Sequence, residues 1–276
     1  MTSSSGQSSL SATTSELALD WDSTSKEIVD FIQSYVRKSR AKGVVVGLSG
    51  GVDSSLVAKL SVMALGPNKV LGVLMPTSFT PEADIQDAND LAHLLSIDTS
   101  RIDIGSIDRA FLVAIKTSAD TEELKIPLAN LKARIRMTVL YFFANKLNYL
   151  VAGTGDRSED LIGYFTKYGD GGVDFLPISH LYKTQVRKLA EFLGIPGRIA
   201  YKPSSPQLYP GHKATDEIPV DYDVLDMVEK MLFDDKLSPA DVSIKCDLRR
   251  GIVDEVARRY ANSSHKRLYP PMLREW

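Results

Sequence analysis

The chain has 276 residues, of which 43% are hydrophobic and 25% are charged, enough for one large domain or two small ones. Its 33 Lys and Arg nearly balance 35 Asp and Glu, which argues against a dedicated nucleic-acid or anionic-membrane binder. The single cysteine, Cys246, excludes an intramolecular disulfide. No apolar run approaches the roughly 20 residues of a membrane helix, and no secretory signal is visible. We therefore expect a cytoplasmic protein that binds neither nucleic acid nor membrane.

The N-terminal stretch differs in composition from everything that follows it. Residues 1–16 are almost all small and polar, with few apolar side chains to bury. Such a segment cannot offset the conformational entropy that ordering would cost. We expect residues 1–16 to be a disordered Ser/Thr-rich tail and residues 17–276 to form a single domain, since no internal repeat or clear linker interrupts them.

Helical and strand patterns alternate along the rest of the chain. In order, the pattern predicts a helix over 21–39, a strand over 44–48, a helix over 56–65, a strand over 70–75, a helix with Thr80 as N-cap and Pro81 at its first position, a strand over 101–104, a helix over 128–147, a strand over 149–152, and helices over 183–193, 222–233 and 251–261. This alternation predicts an α/β fold, a doubly wound parallel sheet with helices on both faces, similar to Rossmann-like folds.

Two strand ends are polar and rich in glycine. Ser49–Ser55 follows the first predicted strand, and Gly153–Glu159 follows the fourth. Ligands of open parallel sheets bind outside the carboxyl ends of the strands. We therefore expect the ligand site where these two segments meet.

The first of these segments has the character of a phosphate-binding loop. Its glycines allow the backbone N–H groups to approach an anion, and the start of the following helix adds its positive end. A Walker A motif would carry a lysine before its Ser or Thr, but no lysine occurs before Lys59. The sequence Ser-Gly-Gly-x-Asp-Ser at 49–54 instead resembles the signature of the N-type ATP pyrophosphatase superfamily, whose members cleave ATP between the α- and β-phosphates.

Two carboxylates at these strand ends suggest a metal site. Asp53 would repel a triphosphate unless a cation stood between them, and Mg²⁺ prefers carboxylate and phosphate oxygens. The second strand end supplies another carboxylate, Glu159. We predict that Asp53 and Glu159 hold Mg²⁺.

The region after the fourth strand resembles the ammonia-dependent NAD⁺ synthetases. The most specific motif is Gly-Tyr-Phe-Thr-Lys-Tyr-Gly-Asp-Gly-Gly at 163–172, which follows Gly-Thr-Gly-Asp-Arg-Ser-Glu at 153–159. The segments 130–137 and 264–267 also fit the family, and the resemblance covers roughly residues 25–270. It implies an adenine nucleotide alpha hydrolase-like fold, a homodimer with the dinucleotide site at the subunit interface, and the last step of NAD⁺ biosynthesis. In that step ATP adenylates the carboxylate of deamido-NAD⁺ (nicotinic acid adenine dinucleotide), and ammonia displaces AMP.

The resemblance also implies roles for individual residues. ATP is expected to bind Gly47, Leu48, Ser49, Gly50, Gly51, Val52, Asp53, Ser54, Thr154, Lys183 and Ser205. Deamido-NAD⁺ is expected to bind Arg134, Lys167, Asp174, His265 and Lys266. Asp170 and Lys183 are the expected catalytic residues, with Asp170 orienting or deprotonating ammonium.

Two other functions stay open at this point. One is another synthetase or amidotransferase of the superfamily, which would share the 49–54 loop but not the 163–172 motif. The other is a non-catalytic adenine-nucleotide sensor, a function that loss of Asp53 or Glu159 would have favoured; both residues are present. A glutamine-using synthetase would need a separate amidase with a nucleophilic cysteine, so we expect free ammonia to be the nitrogen donor.

Overall fold

The computed structural model describes residues 17–117 and 122–273. The helices are α1 (Trp21–Lys38), α2 (Val52–Leu65), α3 (Glu82–Leu95), α4 (Gly105–Ala114), α5 (Lys125–Leu147), α6 (Arg157–Leu161), α7 (Lys183–Phe192), α8 (Gly197–Ala200), α9 (Tyr222–Glu229), α10 (Pro239–Lys245), α11 (Arg250–Asn262) and α12 (Ser264–Arg267). The strands are β1 (Val44–Gly47), β2 (Val70–Leu74), β3 (Asp98–Arg101) and β4 (Leu150–Val151). The predicted tail, residues 1–16, lies outside the described residues.

The four strands form one parallel sheet in the order β3-β2-β1-β4. Val44 of β1 aligns with Val70 on one side and with Leu150 on the other. Because all strands run the same way, the loops after β1 and β4 leave the sheet at the same edge and next to each other. The sheet thus brings together the two polar segments that the sequence singled out.

Alternate residues of β1 point to opposite faces, and helices cover both. Val44 and Val46 belong to a core formed with α1, α2 and α7, whereas Val45 packs with Val73 and Val151 beneath α5. A strand that is buried on both faces has a continuous run of apolar residues, and the Val-Val-Val sequence of β1 therefore predicted this strand. The predicted doubly wound α/β fold is confirmed.

The C-terminal helices have an apolar core of their own. Leu225 and Val228 of α9 pack with Val242 of α10 and with Val253 and Val256 of α11. Alpha9 also contacts α6 and α7, so this cluster lies against the elements that follow β4. None of the helices within the described residues combines the length and the apolar character needed to cross a bilayer.

Several predicted boundaries are wrong. Helix α2 begins at Val52 rather than at 56, and α5 begins at Lys125 rather than at 128. Pro81, not Thr80, is the N-cap of α3, because Thr80 Oγ1 instead accepts a hydrogen bond from Thr77 N at 2.9 Å. The third strand is Asp98–Arg101 rather than 101–104, because this edge strand exposes polar side chains and gives no apolar signal. Alpha9 ends at Glu229 and continues as a π-helix over Lys230–Asp234.

Candidate active site

A cavity of about 710 Å³ opens at the carboxyl edge of the sheet. Its walls come from the loop after β1, the loop after β4, the inner face of α5 and the 202–217 segment. The predicted site residues that line it are Gly47, Leu48, Ser49, Gly51, Val52, Asp53, Ser54, Thr154, Glu159, Asp170, Ser205 and Lys266. Nearly all of the residues predicted to bind ATP therefore share one cavity.

Short hydrogen bonds within the loop after β1 fix its shape. Ser54 Oγ lies 3.1 Å from Ser49 Oγ and donates to Gly51 O, while Ser55 Oγ donates to the same carbonyl at 2.7 Å. Gly51 is the N-cap of α2, and Gly51, Val52, Asp53 and Ser54 at the start of this helix all line the cavity. The first N–H groups of a helix have no partner within the helix itself. This arrangement offers backbone donors and the positive end of a helix to an anion.

Gly50 does not line the cavity, but the loop requires a glycine there. Its φ of +76° lies in the left-handed region, and a Cβ atom would come within 2.2 Å of Asp84 O. Asp84 lies in α3, so the loop after β1 packs directly against that helix. Gly50 therefore fixes the shape of this loop, and its predicted contact with ATP stays a prediction.

Lys183, the first residue of α7, stands behind the cavity wall among three carboxylates. Its Nζ lies 2.7 Å from Asp53 Oδ1, 3.0 Å from Glu159 Oε1 and 2.9 Å from Asp156 Oδ2. Lys183 and Asp156 are completely buried, whereas Asp53 and Glu159 keep part of their surface exposed to the cavity. The ammonium thus ties the end of β1 to the end of β4.

The three carboxylates outnumber the single ammonium, and the pKa values of Lys183 and Glu159 are both raised. Burial alone would lower the pKa of Lys183, but the surrounding carboxylates hold it well above its ordinary value. Desolvation raises the pKa of Glu159 well above its usual range, and Asp156 and Asp53 add to that shift. The cluster has more negative than positive groups, which favours a further cation on its open side.

This donor set fits Mg²⁺. Asp53 and Glu159 both expose carboxylate oxygen to the cavity that the phosphate loop also lines, and both oxygens lie within 3.0 Å of the same Lys183 nitrogen. Mg²⁺ sites of nucleotide enzymes use one or two carboxylates together with phosphate oxygens. The residues present therefore suit a phosphate-bound Mg²⁺, with Lys183 and Asp156 behind them.

Asp156 is a site residue that the sequence analysis missed. Its Oδ1 accepts a hydrogen bond from Glu159 N at 2.8 Å, so it is the N-cap of α6. The Asp-x-x-Glu spacing of an N-cap gives a sequence signal for this role. Its contact with Lys183, 27 positions away, has no sequence signal.

Most residues predicted to bind the dinucleotide lie outside the cavity. Arg134 Nη2 donates to Lys167 O at 3.2 Å, and Lys167 Nζ donates to His265 O at 2.7 Å. These three residues form a connected group, and Lys266 joins it to the cavity by donating to Gly163 O and Phe165 O, each at 2.8 Å. Their binding of a dinucleotide stays a prediction.

Two further predicted residues accept hydrogen bonds from nearby protein groups. Asp174 accepts hydrogen bonds from Val151 N at 2.7 Å and from Tyr141 Oη at 3.1 Å, which fix the end of β4. Asp170 Oδ1 accepts from Thr166 N at 2.9 Å in the cavity wall. Asp174 does not line the cavity, so a contact with deamido-NAD⁺ stays a prediction for it as well.

The 202–217 segment adds polar residues to the wall that the sequence analysis did not assign. Glu217 accepts hydrogen bonds from Tyr164 Oη at 2.9 Å and from Tyr209 Oη at 2.6 Å. Arg136 of α5 donates to the carbonyls of Pro206 and Gln207, each at 3.2 Å. These contacts hold the segment in the cavity wall, where Gln207 Nε2 also lies 3.5 Å from Ser49 O of the loop after β1.

The chain resembles known proteins over nearly its full length. It is 50% identical over 256 residues to an NH(3)-dependent NAD(+) synthetase of Hyperthermus butylicus, covering 92% of this chain and 91% of that protein. It is 43% identical over 255 residues to an NH(3)-dependent NAD(+) synthetase of Methanosarcina mazei, covering 92% and 98% of the two chains.

Solved structures agree with these sequence relationships. The NH3-dependent NAD synthetase of Campylobacter jejuni superposes with a TM-score of 0.77 at 34% identity, over 93% of this chain and 100% of that one. The NMN synthetase of Francisella tularensis superposes with a TM-score of 0.80 at 30% identity, over 92% and 99%. The sequence profile of the NAD synthase family matches residues 24–270, and this chain belongs to that family.

Proposed function

We propose that this protein is an NH3-dependent NAD⁺ synthetase. It is a ligase that amidates the nicotinate carboxylate of deamido-NAD⁺ and cleaves ATP to AMP and pyrophosphate. The observation that carries the proposal is the meeting of a lysine-free phosphate loop with the exposed carboxylates of Asp53 and Glu159 in one cavity. Family membership supports the choice of substrate.

The proposed reaction has two steps. A carboxylate oxygen of deamido-NAD⁺ attacks the α-phosphorus of ATP, forming an acyl-adenylate as pyrophosphate leaves. Ammonia then attacks the acyl carbon, the bond to AMP breaks, and the nitrogen loses a proton. Since the leaving group is pyrophosphate, the loop must bind the β- and γ-phosphates as a unit, and backbone N–H groups at the start of α2 suit that task.

Asp53 and Glu159 are the proposed Mg²⁺ ligands. The ion would supply positive charge that neutralises the phosphates and favours departure of pyrophosphate. Lys183 holds both carboxylates at 2.7 and 3.0 Å, which fixes their oxygens before any nucleotide binds. A direct contact of Lys183 with ATP is also part of the proposal.

Asp170 is the proposed residue for ammonia delivery. It lies in the same cavity wall as the phosphate loop, and one of its oxygens is held by Thr166 N. Ammonium is the dominant form of this substrate at neutral pH, so a carboxylate that binds the cation and takes one proton would raise the local supply of free ammonia.

The predicted dinucleotide residues support a homodimer. Arg134 is exposed on α5, outside the cavity, and shares the outer face of that helix with Phe142, which is 63% exposed. Phe111 of the neighbouring α4 is also 45% exposed. Exposed aromatic side chains next to a predicted binding residue are typical of a subunit interface. We propose that a second copy covers this face and completes the dinucleotide site.

We propose the cytoplasm as the location, in keeping with a free thiol at Cys246. The likeness to an NMN synthetase makes a second substrate worth testing, namely the same nicotinate carboxylate on a mononucleotide. The two substrates differ by the adenylate half, which only the proposed interface site would recognise.

The test is product analysis with the purified chain, ATP, Mg²⁺, deamido-NAD⁺ and a nitrogen source. We expect NAD⁺, AMP and pyrophosphate in equal amounts with ammonium, at a rate that rises with pH as more free ammonia is present. The mononucleotide should be a poorer substrate. ADP and phosphate as products would contradict the proposal. So would glutamine-dependent turnover that Cys246→Ser abolishes.

A further inference from the structure

Asp226, in α9 of the C-terminal helical cluster, is a fully buried carboxylate that the proposed reaction does not use. It accepts a hydrogen bond from Ser158 Oγ at 2.6 Å, and two more from Thr184, through the backbone N at 2.8 Å and Oγ1 at 2.7 Å. Ser158 belongs to α6 and Thr184 to α7. One carboxylate therefore joins three helices.

The residues bonded to Asp226 are chain neighbours of Glu159 and Lys183. Ser158 Oγ also accepts a hydrogen bond from Lys183 N at 2.9 Å, and Ser158 directly precedes Glu159. Thr184 directly follows Lys183. The backbone on both sides of the 3.0 Å contact between Lys183 Nζ and Glu159 Oε1 is thus held through Asp226.

We propose that Asp226 is a positioning residue for the adenylation step. It clamps the first turns of α6 and α7 together, so that Glu159 and Lys183 keep their relative position while ATP binds and pyrophosphate leaves. This inference rests on the proposed function. The C-terminal helical cluster then has a role in the reaction, because the apolar core of that cluster holds α9 and thereby positions the Asp226 carboxylate.

The hydrogen-bond pattern requires a carboxylate at this place. An ionised carboxylate accepts all three bonds. In Asp226→Asn, the amide oxygen can still accept from Thr184, but the NH2 group faces Ser158 Oγ as a donor. Ser158 would then accept from both Lys183 N and the amide, and its own hydroxyl proton would lose its acceptor. The substitution keeps the volume and changes the connection to Lys183 and Glu159.

Glu229 provides a matched control. It lies one turn beyond Asp226 on the same helix and is also completely buried. Neither of its carboxylate oxygens has a hydrogen-bond partner within the part of the chain that the structure describes. Glu229→Gln therefore makes the same chemical change in the same helix without touching the connection to α6 and α7.

The experiment measures kcat and KM for AMP formation, together with thermal unfolding, in four variants: Asp226→Asn, Ser158→Ala, the double variant and Glu229→Gln. We expect Asp226→Asn to lower kcat roughly tenfold to a hundredfold, as small misplacements of reacting groups do. KM for deamido-NAD⁺ should change less than about threefold, because that substrate touches neither helix in the proposal. Glu229→Gln should leave kcat within about twofold of the original chain.

The double variant tests whether the two residues act through one bond. If they do, Ser158→Ala should also lower kcat, and the double variant should have a kcat only slightly below that of Asp226→Asn.

Three outcomes would overturn the proposal. In the first, Asp226→Asn and Glu229→Gln lose kcat to the same extent and in parallel with a fall in Tm, which would show a general structural role. In the second, Asp226→Asn folds and its kcat is unchanged. In the third, that variant does not fold and Ser158→Ala has an unchanged kcat. Failure of the unaltered chain to form AMP would instead contradict the proposed function.

Discussion

The loops after β1 and β4 reach the same cavity but are built differently. Most hydrogen bonds of the loop after β1 join residues at most five positions apart, such as Ser49 with Ser54. Its main long-range contact is the ion pair of Asp53 with Lys183. The loop after β4 is held by a buried lysine 24 positions beyond Glu159 and by Asp226, 68 positions beyond Ser158. The shape of the first loop thus depends mainly on local contacts, whereas that of the second depends on the whole fold.

This difference leads to opposite expectations for mutations. Changes in the first loop should affect ligand binding more than the stability of the protein. Changes in the charged cluster of the second should affect both, because a buried charge that loses its partner is costly wherever it lies.

Lys183→Met should have the largest effect. It removes the only ammonium that contacts Asp53, Asp156 and Glu159 within the described residues, and leaves those carboxylates without compensation. We expect the free energy of unfolding to fall by about 3–5 kcal/mol at neutral pH and activity to be lost. The loss of stability should shrink on acidification, because protonated carboxylates no longer need the ammonium. Denaturant unfolding at several pH values measures both effects, and a pH-independent change of less than about 1 kcal/mol would show the cluster to be unimportant for folding.

Asp53→Asn and Glu159→Gln compare one carboxylate from each loop. Each should lower the rate of AMP formation by roughly a hundredfold or more, since each removes a proposed Mg²⁺ ligand. Activity at rising Mg²⁺ concentration should recover partly in both variants. Asp160→Asn is the control: this acid follows Glu159 but does not line the cavity, so its Mg²⁺ dependence should match that of the unaltered chain. Equal behaviour of all three variants would contradict the metal assignment.

Asp226 should give the protein a measurable pH dependence of stability. Burial raises the pKa of Asp226 to about 6, above its value in the unfolded chain. The folded state therefore binds the proton more tightly, and the stability contributed by this group is present at low pH and lost as pH rises from about 4 to about 6. The expected change is up to about 3 kcal/mol. Because Asp156 and Glu229 also have raised pKa values, the measurement is the difference between the unfolding profiles of the unaltered chain and Asp226→Asn. A constant difference across that range would contradict the assignment.

Gly50→Ala should lower stability moderately and weaken ATP binding. The added Cβ would meet Asp84 O at 2.2 Å, in addition to the strain of a positive φ. Gly194→Ala is the matched control, because Gly194 has a φ of +79° with no heavy atom within 4 Å of the added Cβ. We expect Gly50→Ala to be less stable than the control by about 1–3 kcal/mol and to bind ATP more weakly. Equal Tm and ATP affinity in the two variants would show that the loop tolerates the change.

The same contrast explains what could be predicted from the sequence. The apolar run of β1, the Ser-Gly-Gly-x-Asp-Ser loop and the 163–172 motif are local, and they predicted the fold, the family and the part of the cavity wall that follows β1. Strand β3 was predicted at the wrong residues because an exposed edge strand has no apolar pattern. The contacts of Lys183 with Asp156, and of Asp226 with Ser158, join distant segments and have no signal in a single sequence. The structure alone brings them together.

The most direct test of the account is the fate of the carboxylate oxygen. Deamido-NAD⁺ labelled with ¹⁸O in its nicotinate carboxylate is incubated with the chain, ATP, Mg²⁺ and ammonium, and the products are examined by mass spectrometry. Adenylation transfers one labelled oxygen to the phosphate of AMP and leaves the other in the amide of NAD⁺. AMP that carries one ¹⁸O is the predicted result. Unlabelled AMP, or label in inorganic phosphate beside ADP, would contradict the claim that this cavity activates a carboxylate by adenylation.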